Sequence, residues 1–100
     1  LVLTGEGRLD AQSAYGKAPC GVARRAKAVR NVPVLAIGGA LGDGAESLYS
    51  CGVDALASTV SRITTLESAM ANAVASIEET TARTMRLLDA GRKMEQNKVS

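Results

Sequence analysis

The 100-residue sequence contains no histidine, which excludes catalytic triads, general bases and zinc sites that depend on an imidazole. It has no tryptophan or phenylalanine and only two tyrosines, so its core must be built from small and aliphatic side chains. At roughly 25 cal/mol per Å² of buried apolar area, such side chains stabilise a small domain only weakly. We therefore expect the chain to depend on a partner, either further polypeptide or a second copy in a homo-oligomer.

Charge and cysteine content narrow the class of protein further. A net charge of +2 is too small to indicate a nucleic-acid-binding protein. Cys20 and Cys51 lack the spacing of a zinc or redox motif, which favours free thiols in a reducing cytoplasm. The sequence shows no apolar run long enough to cross a membrane and no signal peptide. We expect a cytoplasmic protein that binds neither nucleic acid nor membrane.

Apolar runs alternate with helical patterns along the chain. Strands are predicted at 1–4, 34–37 and 53–58, the second of them a continuous apolar run typical of a strand buried on both faces. Such alternation predicts an α/β fold with a parallel sheet. We expect a three-layer, Rossmann-like fragment with a long C-terminal helix, in which residues 1–91 form the α/β portion and 92–100 a polar tail.

Three helices are predicted between and after these strands. The first begins near Pro19 and ends before Pro33, with Val22, Ala26 and Val29 on its buried face and with Gly21 and Ala23 allowing a close approach to the sheet. Capping-box spacing at Asp43–Glu46 and Thr64–Glu67 predicts the other two helix starts. The last helix is expected to run to about Ala90, with Gly91 as its stop.

Two glycine-rich segments follow the first two predicted strands. They read TGEGRLDAQSAYGKAP at 4–19 and GGALGDG at 38–44. Because the carboxyl ends of parallel strands meet at one edge of the sheet, where open α/β sheets bind ligands, we expect the two segments to share a single cleft. The dinucleotide-binding and P-loop patterns both fail here, since Asp10 and Ala11 stand where those motifs require glycine.

The same segments resemble the bacterial type I glycerate kinases. The resemblance rests on TGEGRLDAQS at 4–13, GKAP at 16–19, GVA at 21–23, Pro33-Val34 and GALGDG at 39–44, and it fades after about Leu66. It covers the C-terminal portion of a longer two-domain enzyme. It implies magnesium-dependent transfer of phosphate from ATP to D-glycerate, with 2-phosphoglycerate as product. Glycerate, ATP and the missing remainder of the enzyme are then the expected partners, and the isolated chain is expected to be inactive.

An alternative of another class stays open at this point. The chain could be a non-catalytic small-molecule-binding or self-association module derived from such an enzyme.

Kinase chemistry needs phosphates positioned, charge neutralised and the attacking hydroxyl oriented. Asp10 is the first candidate for contacting the substrate hydroxyl or Mg²⁺, and Glu6 is the second. Lys17 is a candidate for neutralising a phosphate. Two of these residues have a structural alternative: Asp10 as a turn or helix cap, and Lys17 as a solvated lysine before a helix. The resemblance favours the catalytic role of Asp10.

The remaining candidates would bind substrate or phosphate. Arg8 suits the glycerate carboxylate through a bidentate fork, with a surface ion pair as its alternative. Gln12 and Ser13 suit substrate hydroxyls, or bonds within their own loop, and Gly5 and Gly7 allow close approach of a ligand. Backbone N–H groups at the start of the second helix suit a phosphate, where Asp43 is more simply a helix cap. The candidate phosphate-binding residues are Gly39, Gly42 and Gly44.

Overall fold

The computed structural model describes residues 1–15, 18–60 and 64–97. These residues form three strands and three α-helices, with two short 3-10 helices in the connections after the first two strands. They are β1 (Val2–Leu9), a 3-10 helix (Ala11–Ala14), α1 (Ala18–Arg30), β2 (Val34–Leu41), a 3-10 helix (Ala45–Cys51), β3 (Ala55–Ser58), α2 (Leu66–Ala71) and α3 (Ala73–Gln96).

The three strands form one parallel sheet in the order β1-β2-β3. The β1–β2 ladder runs from the pair Val2 and Val34 to the pair Leu9 and Leu41. Parallel pairing requires crossover connections, and α1 is the helix between the first two strands. The predicted α/β class with a parallel sheet and a long C-terminal helix is therefore confirmed.

Strands β1 and β2 are each twice as long as predicted, at eight residues rather than four. Gly5, Glu6, Gly7 and Arg8 therefore lie on β1 and not in a loop. The reason is that a parallel ladder is made by backbone groups, so two glycine-rich stretches can pair without favourable side chains. Strand β3 is shorter than predicted, because it begins at Ala55 and not at residue 53.

Helix α1 packs on one face of the sheet. Ala23 and Ala26 belong to the main core cluster together with Val34 and Ala36 of β2. The predicted buried face is correct for Ala26 and wrong for Val29, which is 68% exposed. The close approach is made by Ala23, whereas Gly21 has open space where a side chain would stand, so its predicted packing role is wrong.

Helix α3 lies over the opposite face of the sheet. Leu35 and Ile37 alternate with the core-facing residues of β2 and so point away from α1. An apolar groove of about 630 Å³ separates this face from α3, with Ile37 on the sheet side and Ile77 and Thr81 on the helix side. The order helix, sheet, helix gives the three layers that were predicted.

The C-terminal helix departs from the prediction at two places. It is interrupted at Asn72, whose side-chain amide donates to the Ser68 carbonyl at 2.8 Å and so competes for the acceptor of the regular helical bond from the Asn72 N–H. It then continues through Gly91 to Gln96, so the predicted stop at Gly91 is wrong. Asp89 pairs with Arg92 and Lys93 across that glycine, and such i,i+3 and i,i+4 pairs support the turn.

Both predicted capping boxes are also shifted. The helix after β2 is a 3-10 helix that begins after Gly44, and Gly44 has no side chain with which to cap it. Asp43 is therefore not its cap. At α2 the cap is Thr65 rather than Thr64, because the Thr65 hydroxyl accepts a hydrogen bond from the Ser68 N–H at 3.1 Å.

Within the described ranges, no helix has the length and hydropathy needed to cross a bilayer.

A polar clamp holds the amino ends of the strands. Asp54, just before β3, accepts hydrogen bonds from Lys27 Nζ and from the Val34 N–H through the same oxygen, Oδ2. Lys27 Nζ also donates to the Val32 carbonyl at 3.0 Å. The clamp joins α1 to the starts of β2 and β3, at the edge of the sheet opposite to the glycine-rich segments.

Candidate active site

The segments that follow β1 and β2 are bonded directly to each other. The Gly42 N–H donates to the Leu9 carbonyl at 2.7 Å, and the Ala11 N–H donates to the Asp43 carbonyl at 3.1 Å. These crossed backbone bonds continue the parallel ladder beyond the sheet. The expectation that the two glycine-rich segments share one edge is therefore confirmed.

Asp10 occupies the centre of the first segment and caps the 3-10 helix that follows. Its Oδ1 accepts the Gln12 N–H at 2.9 Å, and the Ser13 hydroxyl accepts the Asp10 N–H at 3.1 Å. Its Oδ2 accepts Arg8 Nε at 3.1 Å. The structural role that the sequence left open for Asp10 is thus present, and the catalytic role stays a prediction.

The ionised form of Asp10 is favoured by its neighbours. Partial desolvation raises the pKa of Asp10, but the Arg8 guanidinium and the N–H groups of Gln12 and Ser13 outweigh it, so the pKa lies below its usual value. A carboxylate with a lowered pKa is a poor proton acceptor near neutral pH. Asp10 is therefore better suited to orienting Arg8 or a substrate hydroxyl than to removing a proton.

Arg8 lies across the second segment. A side chain added at Gly42 would collide with its guanidinium, so Arg8 keeps this position only while residue 42 has no side chain and would otherwise have to shift. The Arg8 side chain is 63% exposed, and only its Nε bonds to Asp10. Its terminal nitrogens remain as donors for a carboxylate or a phosphate. The ion pair that the sequence offered as the alternative is therefore present, and binding of an anion by Arg8 stays a prediction.

The other predicted substrate-binding residues divide into two groups. Ser13 is 2% exposed and its hydroxyl is already bonded to the Asp10 N–H, so it holds the turn together. Gln12 is exposed at the start of the same turn. Gly5 and Gly7 line the apolar groove beneath α3 and not the polar edge around Arg8.

The three candidate phosphate-binding glycines also have distinct environments. The Gly42 N–H is already used by the Leu9 carbonyl, so it is not free for a phosphate. Gly44 has a left-handed backbone, with φ of +78°, and a Cβ there would lie 2.6 Å from that of Ala11. Gly39 lies on β2 and lines the groove. Phosphate binding by this segment stays a prediction that rests on Gly39 and Gly44.

The carboxylates near this edge allow a limited test of metal binding. Mg²⁺ is held by one or two carboxylates together with waters and substrate phosphates. Glu6 forms no ion pair with any described residue and is free to contribute, whereas Asp10 would have to share its Oδ2 with Arg8. No group of three acidic or cysteine side chains forms a metal cluster in the described ranges. Lys17 and the adjoining Gly16 lie outside the described residues.

Sequence comparison places these features in one family. The model of the glycerate kinase family matches residues 1–89. A glycerate kinase of Halalkalibacterium halodurans is 53% identical over 70 residues, which are 70% of this chain and 18% of the relative. A glycerate kinase of Bacillus cereus is 49% identical over 80 residues, 80% of this chain and 21% of the relative.

A glycerate 2-kinase of Escherichia coli is 45% identical over 73 residues, 73% of this chain and 19% of that protein. The chain thus spans about a fifth of the length of these curated relatives. No solved structure matches it significantly. The family match covers both glycine-rich segments and all three strands, and the chain belongs to the glycerate kinase family.

Proposed function

We propose that this chain forms the substrate-binding edge of an enzyme that transfers the γ-phosphoryl group of ATP to D-glycerate. The observation that carries the proposal is the Arg8 guanidinium, oriented by Asp10 and given room by Gly42, with its terminal nitrogens exposed. A planar, two-pronged donor of this kind matches a carboxylate such as that of glycerate. The name of the E. coli relative supports the 2-hydroxyl as the acceptor, with 2-phosphoglycerate as product.

Within this proposal, each nearby side chain has a defined task. Arg8 binds the glycerate carboxylate and Asp10 fixes the orientation of that guanidinium. Glu6 contributes a carboxylate to Mg²⁺, which would neutralise charge on the phosphates, and Lys17 binds a phosphate. Ser13 is left out of the proposed contacts because its hydroxyl is buried within the turn.

The remainder of the enzyme is the proposed partner of helices α2 and α3. These helices expose a row of large apolar side chains, which in a folded protein commonly mark an interface. The relatives are about five times longer than the matched region, so they contain polypeptide that could cover this row. The row comprises Leu66, Met70, Val74, Ile77, Met85 and Leu88.

The proposal that this apolar row is exposed in the chain and available to the remainder of the enzyme can be tested on the 100-residue chain. Val74→Asp should reduce binding of a hydrophobic dye without lowering the melting temperature, since Val74 is exposed in the first turn of α3, where a negative charge is favourable. A fall in melting temperature equal to that of the core variant Leu48→Asp would contradict it.

Both cysteines are free thiols, which supports a reducing cytoplasm as the location.

The proposed substrate site is tested by titrating the isotopically labelled chain with D-glycerate. Arg8→Ala should weaken binding about tenfold or more, the expected loss for a charge-assisted hydrogen-bonded contact. Arg92→Ala is a matched control, because Arg92 forms the same kind of exposed pair with Asp89 on α3. Gly42→Ala should reproduce the loss by displacing Arg8.

Equal glycerate affinities for wild type, Arg8→Ala and Arg92→Ala would contradict the proposed substrate site. The alternative of a non-catalytic module finds no support among the relatives named above, all of which are kinases by name.

A further inference from the structure

A second, polar cavity lies beyond the carboxyl end of β3. It is open to solvent, has a volume of about 370 Å³, and is lined by Thr59, Val60 and Thr64 after β3 and by one side of α2 and α3. Small-molecule sites commonly measure about 300–1,000 Å³, so the space suits a ligand or part of one. Its polar lining consists of Thr59, Thr64, Ser68, Asn72, Ser76 and Glu79.

Serine and threonine hydroxyls that line this polar cavity form no hydrogen bonds to the described residues. Ser68 and Ser76 take part in helix bonding through their backbone groups, and no described residue hydrogen-bonds to either hydroxyl. The Thr59 N–H bonds to the Gly38 carbonyl, but its hydroxyl likewise has no bond within the described ranges. These hydroxyls are therefore available to a ligand that replaces solvent.

Glu79 determines which chemical class the cavity can take. Its Oε2 faces Arg83 Nη2 at 3.5 Å, and this exposed pair leaves the other carboxylate oxygen as an acceptor. A carboxylate repels phosphates and the carboxylate of glycerate, but it accepts hydrogen bonds from two neighbouring hydroxyls. Together with the serine and threonine hydroxyls, it favours a neutral vicinal diol.

The cavity and the Arg8 site share one edge of the sheet. The Thr59 N–H and the Ser58 hydroxyl bond to the carbonyls of Gly38 and Gly39, which ties the end of β3 to β2. Arg8 lies at the end of β1, two strands away, and two strand spacings amount to about 10 Å. A nucleotide has a neutral diol on its ribose and an anionic phosphate chain attached to the same sugar through C5′, and the chain extends over a comparable length.

We infer that the polar cavity binds the 2′,3′-diol of a nucleotide's ribose, with its phosphates directed along the sheet edge toward Arg8. This inference rests on the proposed kinase function, which supplies the nucleotide. Ser76 and Glu79 provide the hydrogen bonds to the diol, and the phosphates extend toward the glycerate that Arg8 holds. Specificity for a ribose over a deoxyribose follows from the same contacts.

The test compares the affinity of the chain for adenosine with that for 2′,3′-dideoxyadenosine, measured by titration of the labelled protein. Adenosine should bind at millimolar concentration or below, and the dideoxy compound about tenfold or more weakly. Glu79→Gln should weaken adenosine binding about tenfold. Glu78→Gln is the matched control, since Glu78 is the adjacent exposed carboxylate on α3 and does not line the cavity.

Three outcomes would overturn the inference: no adenosine binding at millimolar concentration, equal binding of the two nucleosides, or equal effects of Glu79→Gln and Glu78→Gln. The glycerate titration with Arg8→Ala is independent of all three. A nucleoside result that fails while glycerate binding depends on Arg8 would leave the proposed function standing and remove only the ribose site. The reverse pattern would remove the glycerate assignment.

Discussion

Lys27 and Asp54 meet at the amino ends of the strands, with Lys27 Nζ 2.5 Å from Asp54 Oδ2, although they are 27 positions apart in the sequence. The same carboxylate oxygen also accepts the Val34 N–H at 2.7 Å. One side chain therefore fixes the relative positions of a helix and two strands. It does so at the edge of the sheet that carries none of the proposed chemistry.

Removal of this clamp should destabilise the fold without affecting ligand binding. Asp54→Asn is expected to lower the free energy of unfolding by about 1 kcal/mol at neutral pH, a discounted value because the pair is partly exposed. Asp89→Asn, which breaks exposed pairs on α3, should cost less. Chemical denaturation of both variants measures the difference, and equal losses would contradict the clamp.

The clamp also predicts how stability depends on pH. The hydrogen bond from Lys27, and then that from the Val34 N–H, lower the pKa of Asp54 below its ordinary value of 3.8. The stabilisation is therefore fully present above that ordinary value and is lost as the pH falls through the lower pKa of the folded state. The difference in melting temperature between wild type and Asp54→Asn should shrink below about pH 4. A constant difference down to pH 2 would be inconsistent with this linkage.

Two glycines provide opposite expectations for substitution by alanine. Gly44→Ala should destabilise by about 1–2 kcal/mol or more, because the backbone is left-handed and the new methyl meets Ala11. Gly91→Ala should stabilise by about 0.5–1 kcal/mol, because Gly91 is inside α3 with open space around it. Thermal melts of the two variants give the signs. A destabilising Gly91→Ala would indicate that α3 ends there after all.

Thr80 is a buried polar residue, 5% exposed, whose hydroxyl has no hydrogen-bond partner among the residues that the structure describes. Thr80→Val keeps the shape and removes the unsatisfied group, so stability should be unchanged or rise by about 1 kcal/mol. Thr84→Val is the comparison, since the Thr84 hydroxyl donates to the Thr80 carbonyl at 2.8 Å and its loss should not stabilise. Stabilisation by both substitutions to the same extent would show that side-chain shape, and not the orphan hydroxyl, decides the result.

Cys51 should be an unreactive thiol. Burial, and then its hydrogen bond with the Cys20 thiol, raise the pKa of Cys51 to about 11. The rate of alkylation by iodoacetamide should therefore keep rising with pH well beyond 9, and Cys20→Ala should make Cys51 react faster at neutral pH. Cys20 is fully buried, so the modified fraction reports Cys51. A rate that levels off near pH 9 would contradict the raised pKa.

The order of the elements was predictable because it depends on local patterns. The apolar run at 34–37, with Pro33 before it, marks β2. Periodicity marks the long C-terminal helix, but neither its interruption at Asn72 nor its extension to Gln96. The full length of β1 was not predictable, since TGEGR has little strand propensity on its own. Its backbone pairs with that of β2 as far as Leu9 and Leu41, and only the folded sheet supplies this partner.

The candidate site was foreseen as a set of residues but not as an arrangement. Parallel strands place both glycine-rich segments at one edge, which topology alone implies. That Arg8 lies against Gly42, and that Lys27 pairs with Asp54, depend on contacts between distant segments. Neither contact has a spacing or periodicity that marks it in the sequence. The polar cavity beyond β3 was missed for the same reason, because its hydroxyls come from three separate elements.

The aromatic-poor composition has an optical consequence. Both tyrosines lie on the surface, Tyr15 at 81% and Tyr49 at 51% exposure, and the sequence has no tryptophan. Intrinsic fluorescence and near-ultraviolet circular dichroism should therefore change little when the chain unfolds. Tyr15, however, directly follows the turn capped by Asp10, and its N–H bonds to the Gln12 carbonyl. We therefore expect the emission of Tyr15 to change more on ligand binding at the sheet edge than on unfolding.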